Sequence, residues 1–513
     1  MKKGILALGC LTCGTYFYFK IPLPGFQIKG EPYQLLPKAS KSDHPNKHFL
    51  TSLPMKTICI IGGGIAGCIT AKTLTQQGYQ VEVLDKNPSF GGLWYKNYDG
   101  SGLQYQREHY NIPDFPFESK EDFPHSPEIV KYIESYAEKF GIKPYFKFNT
   151  KVENIKQELD KTWTVITEEG KKNYDFLILC TGSYNKPYIP KIHGSERFKG
   201  KILHSSEFIN VENEYKGKKI IVIGSGKSAF DVINQARKYG ADVSAVMHRI
   251  HWLVPLDIDF FGIPLCYLNL SRFGGLFLDP YYSEKSWFDL VTGFFSPLYW
   301  HAITWAIKRG LPYPLQSKES YKKEKCFGDG VMDREISDEI NQGNIMLYRD
   351  KVDEISENGV KIHGKIVPAD IVVFATGFKR EFFSLPVEKD GLWLYRNILI
   401  PGKKNLAVIG IVNTYCNPLY MNIQAVWLAE VLRGSVRLPK KKIMFKDVEN
   451  RKTYTRDIIS GDSTISFSWF PYPPIDQLLT DMEISRIRKP SRFKHWFEPI
   501  KPEDYKTVVT HRE

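Results

Sequence analysis

The chain has 513 residues, 42% hydrophobic and 14% aromatic, enough for two or three packed domains and too apolar overall for a disordered protein. Its formal net charge of +13 is held at the ends: residues 1–56 and 433–513 each carry an excess of six positive charges, and the remainder has 45 basic against 44 acidic residues. A neutral body argues against a nucleic-acid groove. The basic ends fit either attraction to an anionic membrane surface or plain solubility charge.

Cys10, Cys13, Cys59, Cys68, Cys180, Cys266, Cys326 and Cys416 follow no disulfide framework, so the body reads as intracellular and reduced. Cys10 and Cys13 form a CxxC inside an apolar run, a poor setting for zinc or redox chemistry, and no metal site is expected. In chain order, residues 1–20 open with Lys2 and Lys3, continue through sixteen mostly apolar residues from Gly4 to Phe19, and end at Lys20. That length is short of the roughly 20 residues of a spanning helix, which leaves a marginal membrane anchor or a signal segment as the two readings. Residues 21–55 are proline-rich and read as linker. Met55 stands directly before the first apolar run, so the extension is expected to be dispensable to the fold.

From Lys56 the pattern becomes regular. Ile58–Ile61 predicts a buried strand, Ile65–Gln77 a helix stopped by Gly78, and Val81–Leu84 the next strand, a βαβ unit. Ile220–Ile223, Ser228–Tyr239 and Val243–Met247 repeat it. Two further apolar runs, Asp175–Gly182 (DFLILCTG) and Asp370–Gly377 (DIVVFATG), end in the same Thr-Gly word. If the first closes the domain opened at Thr57 and the second returns the chain to it, one dinucleotide domain is inserted in another. The expected fold is α/β with two nested Rossmann-like domains: 56–213 and 371–434 for the first, and 214–370 for the second. An aromatic-rich insertion covers 256–330 and a basic extension covers 435–513. Phe260–Trp305 holds 14 aromatics in 46 residues, read as packed helices over the second domain, or as a lid, substrate channel or membrane-dipping surface.

The glycines carry chemistry. Gly62 permits the tight turn, Gly64 lets the backbone approach a pyrophosphate, and Gly67 allows close helix–strand contact. Asp85, 23 positions after Gly62, ends the next strand, where a carboxylate can bind the adenosine ribose hydroxyls. The second turn, Gly224-Ser225-Gly226-Lys227-Ser228-Ala229, has His248-Arg249 instead of a carboxylate at the corresponding strand end. A cation there attracts a ribose 2′-phosphate. NADPH is therefore expected at the second turn and FAD at the first.

These residues resemble the flavin-containing monooxygenases, a branch of the class B flavoprotein monooxygenases, over about Lys56 to Gly434. The resemblance rests on Gly91-Gly92-Leu93-Trp94, Asp114-Phe115-Pro116-Phe117, the two Thr-Gly segments, NIQAVWLAEVL from Asn422, and above all FKGKILHSSEF. There Phe198, Gly200, His204 and Phe208 match the family's F-x-G-x-x-x-H-x-x-x-(Y/F) fingerprint. It departs from the pattern at Ile209, where a basic residue usually follows, and Phe208 is not the Trp typical of Baeyer–Villiger relatives. Gln104 stands where animal-type members have a flavin-contacting asparagine, a feature closer to the plant-type branch.

The resemblance implies hydride transfer from NADPH to FAD, capture of O2 as a flavin C4a-hydroperoxide, and oxygenation of an amine nitrogen or sulfide sulfur on a small molecule. It implies Gln104 as the catalytic side chain and as one of the cofactor-binding residues. The others are Gly62, Gly64, Ala66, Gly67, Asp85, Lys86, Gly92, Leu93, Trp94, Arg107, Val152, Thr181, Gly182, Gly224, Gly226, Lys227, Ser228, Arg249, Thr376, Gly377 and Gln424. His204 reads as a structural hinge rather than a general base. A pyridine-nucleotide disulfide reductase would need a redox cysteine pair after the first βαβ unit, and GGLWYKNYDG has none. An NADPH oxidase releasing H2O2 and a catalytically silent FAD/NADPH-binding redox sensor at a membrane remain as alternatives. Localisation is membrane-associated through the N-terminal segment, or cytoplasmic.

Overall fold

The computed structural model describes residues 56–510 except 256–258, 261–262, 265–269, 278–286, 312–314, 319–329, 333, 384, 386, 389–390, 404, 413 and 459–471. The expected anchor and linker, residues 1–55, lie outside the described residues. Met55–Glu513 forms a compact unit of its own.

The apolar run after Lys56 becomes β1 (Thr57–Ile61), buried from Ile58 onward. It leads through the glycine turn into α1 (Ile65–Thr75), in which nine residues are buried. Gly78, at φ +83°, then reverses the chain into β2 (Gln80–Leu84). Strands β3 (Phe146–Lys147) and β4 (Phe176–Leu179) join them. Next come β5 (Lys201–His204), β6 (Lys219–Ile223), α2 (Lys227–Lys238) and β7 (Asp242–Val246). The aromatic region contributes α3 (Trp287–Gly310). The remaining strands of the two parallel sheets are β8 (Met346–Tyr348), β9 (Ile371–Phe374) and β10 (Leu406–Val408), and α4 (Asn417–Arg433) follows.

The first sheet runs β10-β4-β1-β2-β3 and the second β8-β7-β6-β9-β5, with every pairing parallel. Strands β1 and β4 and the corresponding β6 and β9 are covered on both faces, which is why they read as unbroken apolar runs rather than alternating ones.

The strand expected to return the chain to the first sheet does not. Ile371–Phe374 pairs with β6, Ile220 opposite Ile371 through Ile223 opposite Phe374, and with β5 on its other side. The return is made by β10, which pairs with β4. Lys201–His204 likewise lies in the second sheet, so the boundaries drawn at 213/214 and 370/371 fall on the wrong side of two strands. An apolar run before Thr-Gly marks a buried strand beside a turn; it does not say which sheet accepts it.

The internal repeat is larger than the βαβ unit. Before β4 comes an antiparallel three-strand meander, Val152–Gln157, Trp163–Thr167 and Gly170–Tyr174. Before β9 comes another, Glu354–Ser356, Gly359–Ile362 and Lys365–Pro368. Each half is thus a βαβ unit, a meander, and a strand ending in Thr-Gly.

The basic C-terminal stretch is built into the first core: Tyr472, Ile475, Leu478, Leu479, Ile500, Tyr505 and Val508 are buried in it. Arg396 fastens it with a two-pronged contact to Asp481 at 2.8 and 3.0 Å and a third bond to Asp447 at 3.2 Å. Helix α3 packs Trp300, Ile303 and Ile307 into the second core, as the packed-helix reading expects.

Candidate functional site

At the first turn, Gly62 has φ +113°, and a methyl group there would lie 2.4 Å from the Cys180 carbonyl oxygen. A methyl on Gly67 would lie 1.9 Å from the Gly62 oxygen. The fold itself therefore requires both glycines. Gly64 is different. Its backbone, φ −74° and ψ −172°, suits any residue, and the nearest atom to an added methyl is Gly92 Cα at 3.4 Å, an ordinary contact. Nothing inside the described protein demands glycine at the first position of this helix N-terminus, which fits a group outside the chain, such as a pyrophosphate on the free N–H groups.

The surroundings of this turn converge on it. Asp85 is buried and its carboxylate accepts N–H bonds from Gly63 and, at 2.6 Å, from Asn87. Burial raises the Asp85 carboxyl above the ordinary range and the Asn87 and Gly63 bonds oppose that. Gly92 abuts Gly64 in the turn Gly92–Trp94, and Trp94 Nε1 donates to Tyr110 Oη at 2.9 Å. Thr181 and Gly182 follow β4, and the Thr181 hydroxyl is buried without a hydrogen-bond partner among the described residues. Ala66 meets the loop at Gly410, where a methyl would come within 2.6 Å of Ala66 Cβ. Gln424, fully buried, accepts from Gly410 N at 3.5 Å and donates to Asn397 O at 3.2 Å. Its amide is thus engaged with the backbone that holds this loop.

Other expected residues sit on separate elements. Gln104 and Lys86 are exposed, Leu93 is 40% exposed, and Val152 is half-buried at the start of the first meander. Arg107 N donates to Asp122 O at 2.8 Å and its Nη1 to Phe117 O at 3.2 Å. The Asp114 of the DFPF segment is held by Lys72 of α1 at 2.7 Å, a pair only 3% and 5% exposed.

The second turn repeats this logic. Gly224, φ +144°, would put a methyl 2.2 Å from the Ala375 oxygen, whereas a methyl on Gly226 would meet nothing within 4 Å. Ala229 takes the third glycine's place and is fully buried. Each Thr-Gly word therefore lies against its own glycine turn: Cys180-Thr181 against Gly62, and Ala375-Thr376 against Gly224. The strand register refines the charge argument. Leu84 pairs with Ile61 and Val246 with Ile223, so the residue equivalent to Asp85 is the buried Met247, and His248 and Arg249 come one and two positions later. Arg249 is still fixed beside the turn, because Ser225 Oγ donates to its carbonyl at 2.5 Å.

Sequence reasoning missed a clamp on this second helix. Lys227 Nζ bonds Asp231, Tyr98 Oη donates to Asp231 at 2.9 Å, and Ser228 Oγ donates to Tyr98 Oη at 3.2 Å. Gly100 lies so close to α2 that a methyl there would be 2.3 Å from Gln235 Cγ. Burial raises the Asp231 carboxyl, opposed by the Lys227 ammonium. The signal available in the sequence was the polar 228/231/235 stripe on one side of a predicted helix.

The chain segments joining the two sheets run side by side: Phe378–Lys379 pairs antiparallel with Lys186–Pro187. Gly377 O accepts from Tyr188 N at 3.0 Å and from His204 Nε2 at 2.9 Å, while Thr376 Oγ1 bonds Tyr188 O. His204 Nδ1 accepts from Ser206 N at 3.2 Å, which fixes the proton on Nε2. Burial lowers the His204 pKa, opposed by the Gly377 contact and by Glu207. A fully buried, neutral imidazole with both nitrogens engaged holds a connection rather than shuttling protons. Cys59, Cys68, Cys180 and Cys416 are buried free thiols, and burial pushes Cys180 up to about 12. None is in the thiolate form that disulfide exchange needs.

Two parallel sheets, each with a glycine turn that leaves room at a helix N-terminus, define a protein that holds two dinucleotides. Residues 55–484 match the Flavin-binding monooxygenase-like family, and the chain belongs to it. It is 25% identical over 525 residues to "Probable flavin-containing monooxygenase 1" of Arabidopsis thaliana, covering 90% of this chain and 98% of that one. It is 27% identical to "Flavin-containing monooxygenase 5" of Rattus norvegicus, covering 79% and 80%. The fold is that of S-allyl-L-cysteine S-oxygenase from Allium sativum, with TM-score 0.59, 20% identity and coverage of 85% and 90%. It is also that of OTEMO in complex with FAD and NADP, with TM-score 0.62, 20% identity and coverage of 79% and 90%. The protein is an NADPH- and O2-dependent flavoprotein monooxygenase with FAD and NADPH as its cofactors.

Proposed function

We propose that the chain oxygenates a soft nucleophilic nitrogen or sulfur on a small molecule, with FAD at the first turn and NADPH at the second. The observation that carries two such sites is the pair Gly64 and Gly226, the two turn glycines whose added methyl groups would meet no clash within the protein, and the division between them rests on Asp85 at the first turn and Arg249 beside the second. When bound, FAD would supply the redox chemistry, hydride acceptance from NADPH and O2 activation. Gly62, Gly64, Ala66, Gly67, Asp85, Gly92, Trp94, Thr181 and Gly182 form the wall for FAD. Thr181 would offer its hydroxyl, and Asp85, which fixes the turn through Gly63 and Asn87, would offer its remaining acceptor capacity to the ribose. Gly224, Gly226, Lys227, Ser228, Arg249, Thr376 and Gly377 serve NADPH. Lys227 and Arg249 supply the positive charge and the Tyr98–Asp231 contact aims Lys227. Gln424 supports the FAD wall through Gly410, and Lys86, Leu93, Arg107 and Val152 are assigned to the cofactor by the family resemblance. Gln104, exposed on its loop, would offer its amide as a hydrogen-bond donor to the flavin.

The experiment is a balance sheet on purified protein: NADPH consumed, peroxide released and oxygenated product formed, with a tertiary amine and a thioether offered separately. Product matching NADPH supports the reading. Peroxide matching NADPH with neither product assigns the chain to the oxidase alternative, and absence of turnover with both cofactors bound assigns it to the silent one. Association with a membrane through residues 1–20 is part of the same proposal. Among the described residues no helix is long and apolar enough to cross one.

A further inference from the structure

Lys227 opens α2 at the second turn, yet its ammonium is already bound within the protein. It bonds Asp231 Oδ1, four residues on, and the two side chains are nearly closed off, at 14% and 12% exposure. An i,i+4 bond carries the ammonium one turn along the helix. It thereby passes Gly226, where an added methyl would meet nothing within 4 Å and a phosphate can approach the free N–H groups. The other carboxylate oxygen, Oδ2, accepts from Tyr98 Oη at 2.9 Å, and Tyr98 Oη accepts in turn from Ser228 Oγ at 3.2 Å. Tyr98 comes from the loop after Trp94 and is itself buried, so Asp231 is closed in from both halves of the chain.

The charge balance around Asp231 is narrow. Burial pushes its carboxyl toward the neutral form, and Lys227 is foremost among the groups that oppose this, followed by Tyr98 and His125. Other charged groups near α2 are engaged elsewhere. Arg237 pairs with Glu339 of the helix Arg334–Asn341 at 2.8 Å. Asp99 accepts from Val211 N at 3.0 Å, and Glu207 from His204 N at 2.9 Å. A buried carboxylate that loses its cation takes up a proton rather than stay charged.

We propose that Asp231 is a positioning residue that competes with the phosphates of NADPH for Lys227, so that coenzyme binding is coupled to the uptake of a proton. The phosphate draws the ammonium back over the helix N-terminus, and the bond from Lys227 Nζ to Asp231 Oδ1 breaks. A proton from solvent then bonds to Oδ1, while Tyr98 keeps its bond to Oδ2. The inference rests on NADPH occupying the second turn. The test is calorimetric titration of NADP+ into the FAD-loaded protein at about pH 8 in two buffers of different ionisation enthalpy. A phosphate monoester, with a second pKa of about 6, is already doubly charged there. Wild type should take up about one proton per NADP+ bound, and its Kd should rise by up to about tenfold per pH unit. Asp231→Asn keeps an oxygen for Tyr98; it should take up none and bind about tenfold tighter, because Lys227 no longer has a charged competitor. Lys227→Met should also take up none but bind about ten- to hundredfold weaker. Bound flavin should be unchanged in both, as the check on folding. Wild type that binds NADP+ without taking up a proton overturns the proposal and leaves the placement of NADPH standing, whereas wild type that binds no NADP+ overturns both. Uptake that survives in Asp231→Asn gives the proton to His125 or to His248 beside Arg249, and weaker binding by Asp231→Asn makes Asp231 merely structural; either result overturns the proposal.

Discussion

Gly64 and Gly67 stand three residues apart in one motif, and the structure assigns them different duties. An alanine at 67 would place its methyl group 1.9 Å from the Gly62 carbonyl oxygen, a backbone atom that can move only if the turn between β1 and α1 opens. Overpacking of this kind costs about 1–3 kcal/mol or more, so Gly67→Ala should lower the stability of the flavin-free protein and its yield. An alanine at 64 would meet only Gly92 Cα at 3.4 Å, in a backbone conformation alanine adopts freely. The flavin-free protein should therefore melt within about 0.5 kcal/mol of wild type. With FAD the order reverses for Gly64→Ala, because the methyl occupies the space over the helix N-terminus. Losing one charge-assisted phosphate contact of about 1.5–3 kcal/mol weakens binding about ten- to hundredfold. The assay is thermal unfolding of both proteins stripped of flavin, followed by FAD titration. Wild-type FAD affinity in Gly64→Ala would refute the placement of the pyrophosphate. An unchanged melt of stripped Gly67→Ala would refute the packing argument.

Gly226→Ala should leave both the melt and the bound flavin intact and raise the NADPH KM, since its methyl enters open space at the second helix; steady-state kinetics at fixed O2 measure it. Arg249→Ala should reduce preference for NADPH over NADH about ten- to hundredfold, read from kcat/KM with each coenzyme. Lys72→Ala leaves the Asp114 carboxylate buried without its cation and should cost about 3–5 kcal/mol, measured by denaturant unfolding. Replacing both residues by apolar ones should recover much of it. Stability should fall on acidification below about pH 6.5. Burial lowers the pKa of His109 and His204 and holds His495 down to about 4, so in that window the unfolded chain takes up protons the folded one refuses. His495→Gln should flatten the profile of melting temperature between about pH 4 and 6.5.

Much of this was legible because both sheets bury their central strands on two faces. Lys219–Ile223 and Thr57–Ile61 could be placed to within a residue since nothing but a buried parallel strand uses such a run before a glycine turn. The meanders were not read. Val152–Gln157 and Lys365–Pro368 are largely exposed strands, and their polar residues give no apolar periodicity to detect. The Lys72–Asp114 pair was equally silent, since a lysine in a helix and an aspartate in a loop look like surface residues until burial brings them together. The membership of Ile371–Phe374 was misread for a different reason: strand composition reports burial, whereas sheet identity is a matter of register with a partner more than a hundred residues away.

That misreading shows what the repeat is for. Because Cys180 presses on Gly62 and Ala375 on Gly224, each half closes around its own turn, and neither needs the other to shape its cradle. The halves share the pair of crossings after the Thr-Gly words, laid antiparallel and pinned by His204 and Tyr188 on Gly377, the clamp of Tyr98 on Asp231, and further bonds such as Val211 N to Asp99 and Arg272 to Asp476. Two dinucleotides must meet at one face for hydride to pass between them. Each cradle is rigid in itself, and these cross-contacts set their relative placement. A fingerprint histidine in that strap has a structural reason to be there without any proton to transfer.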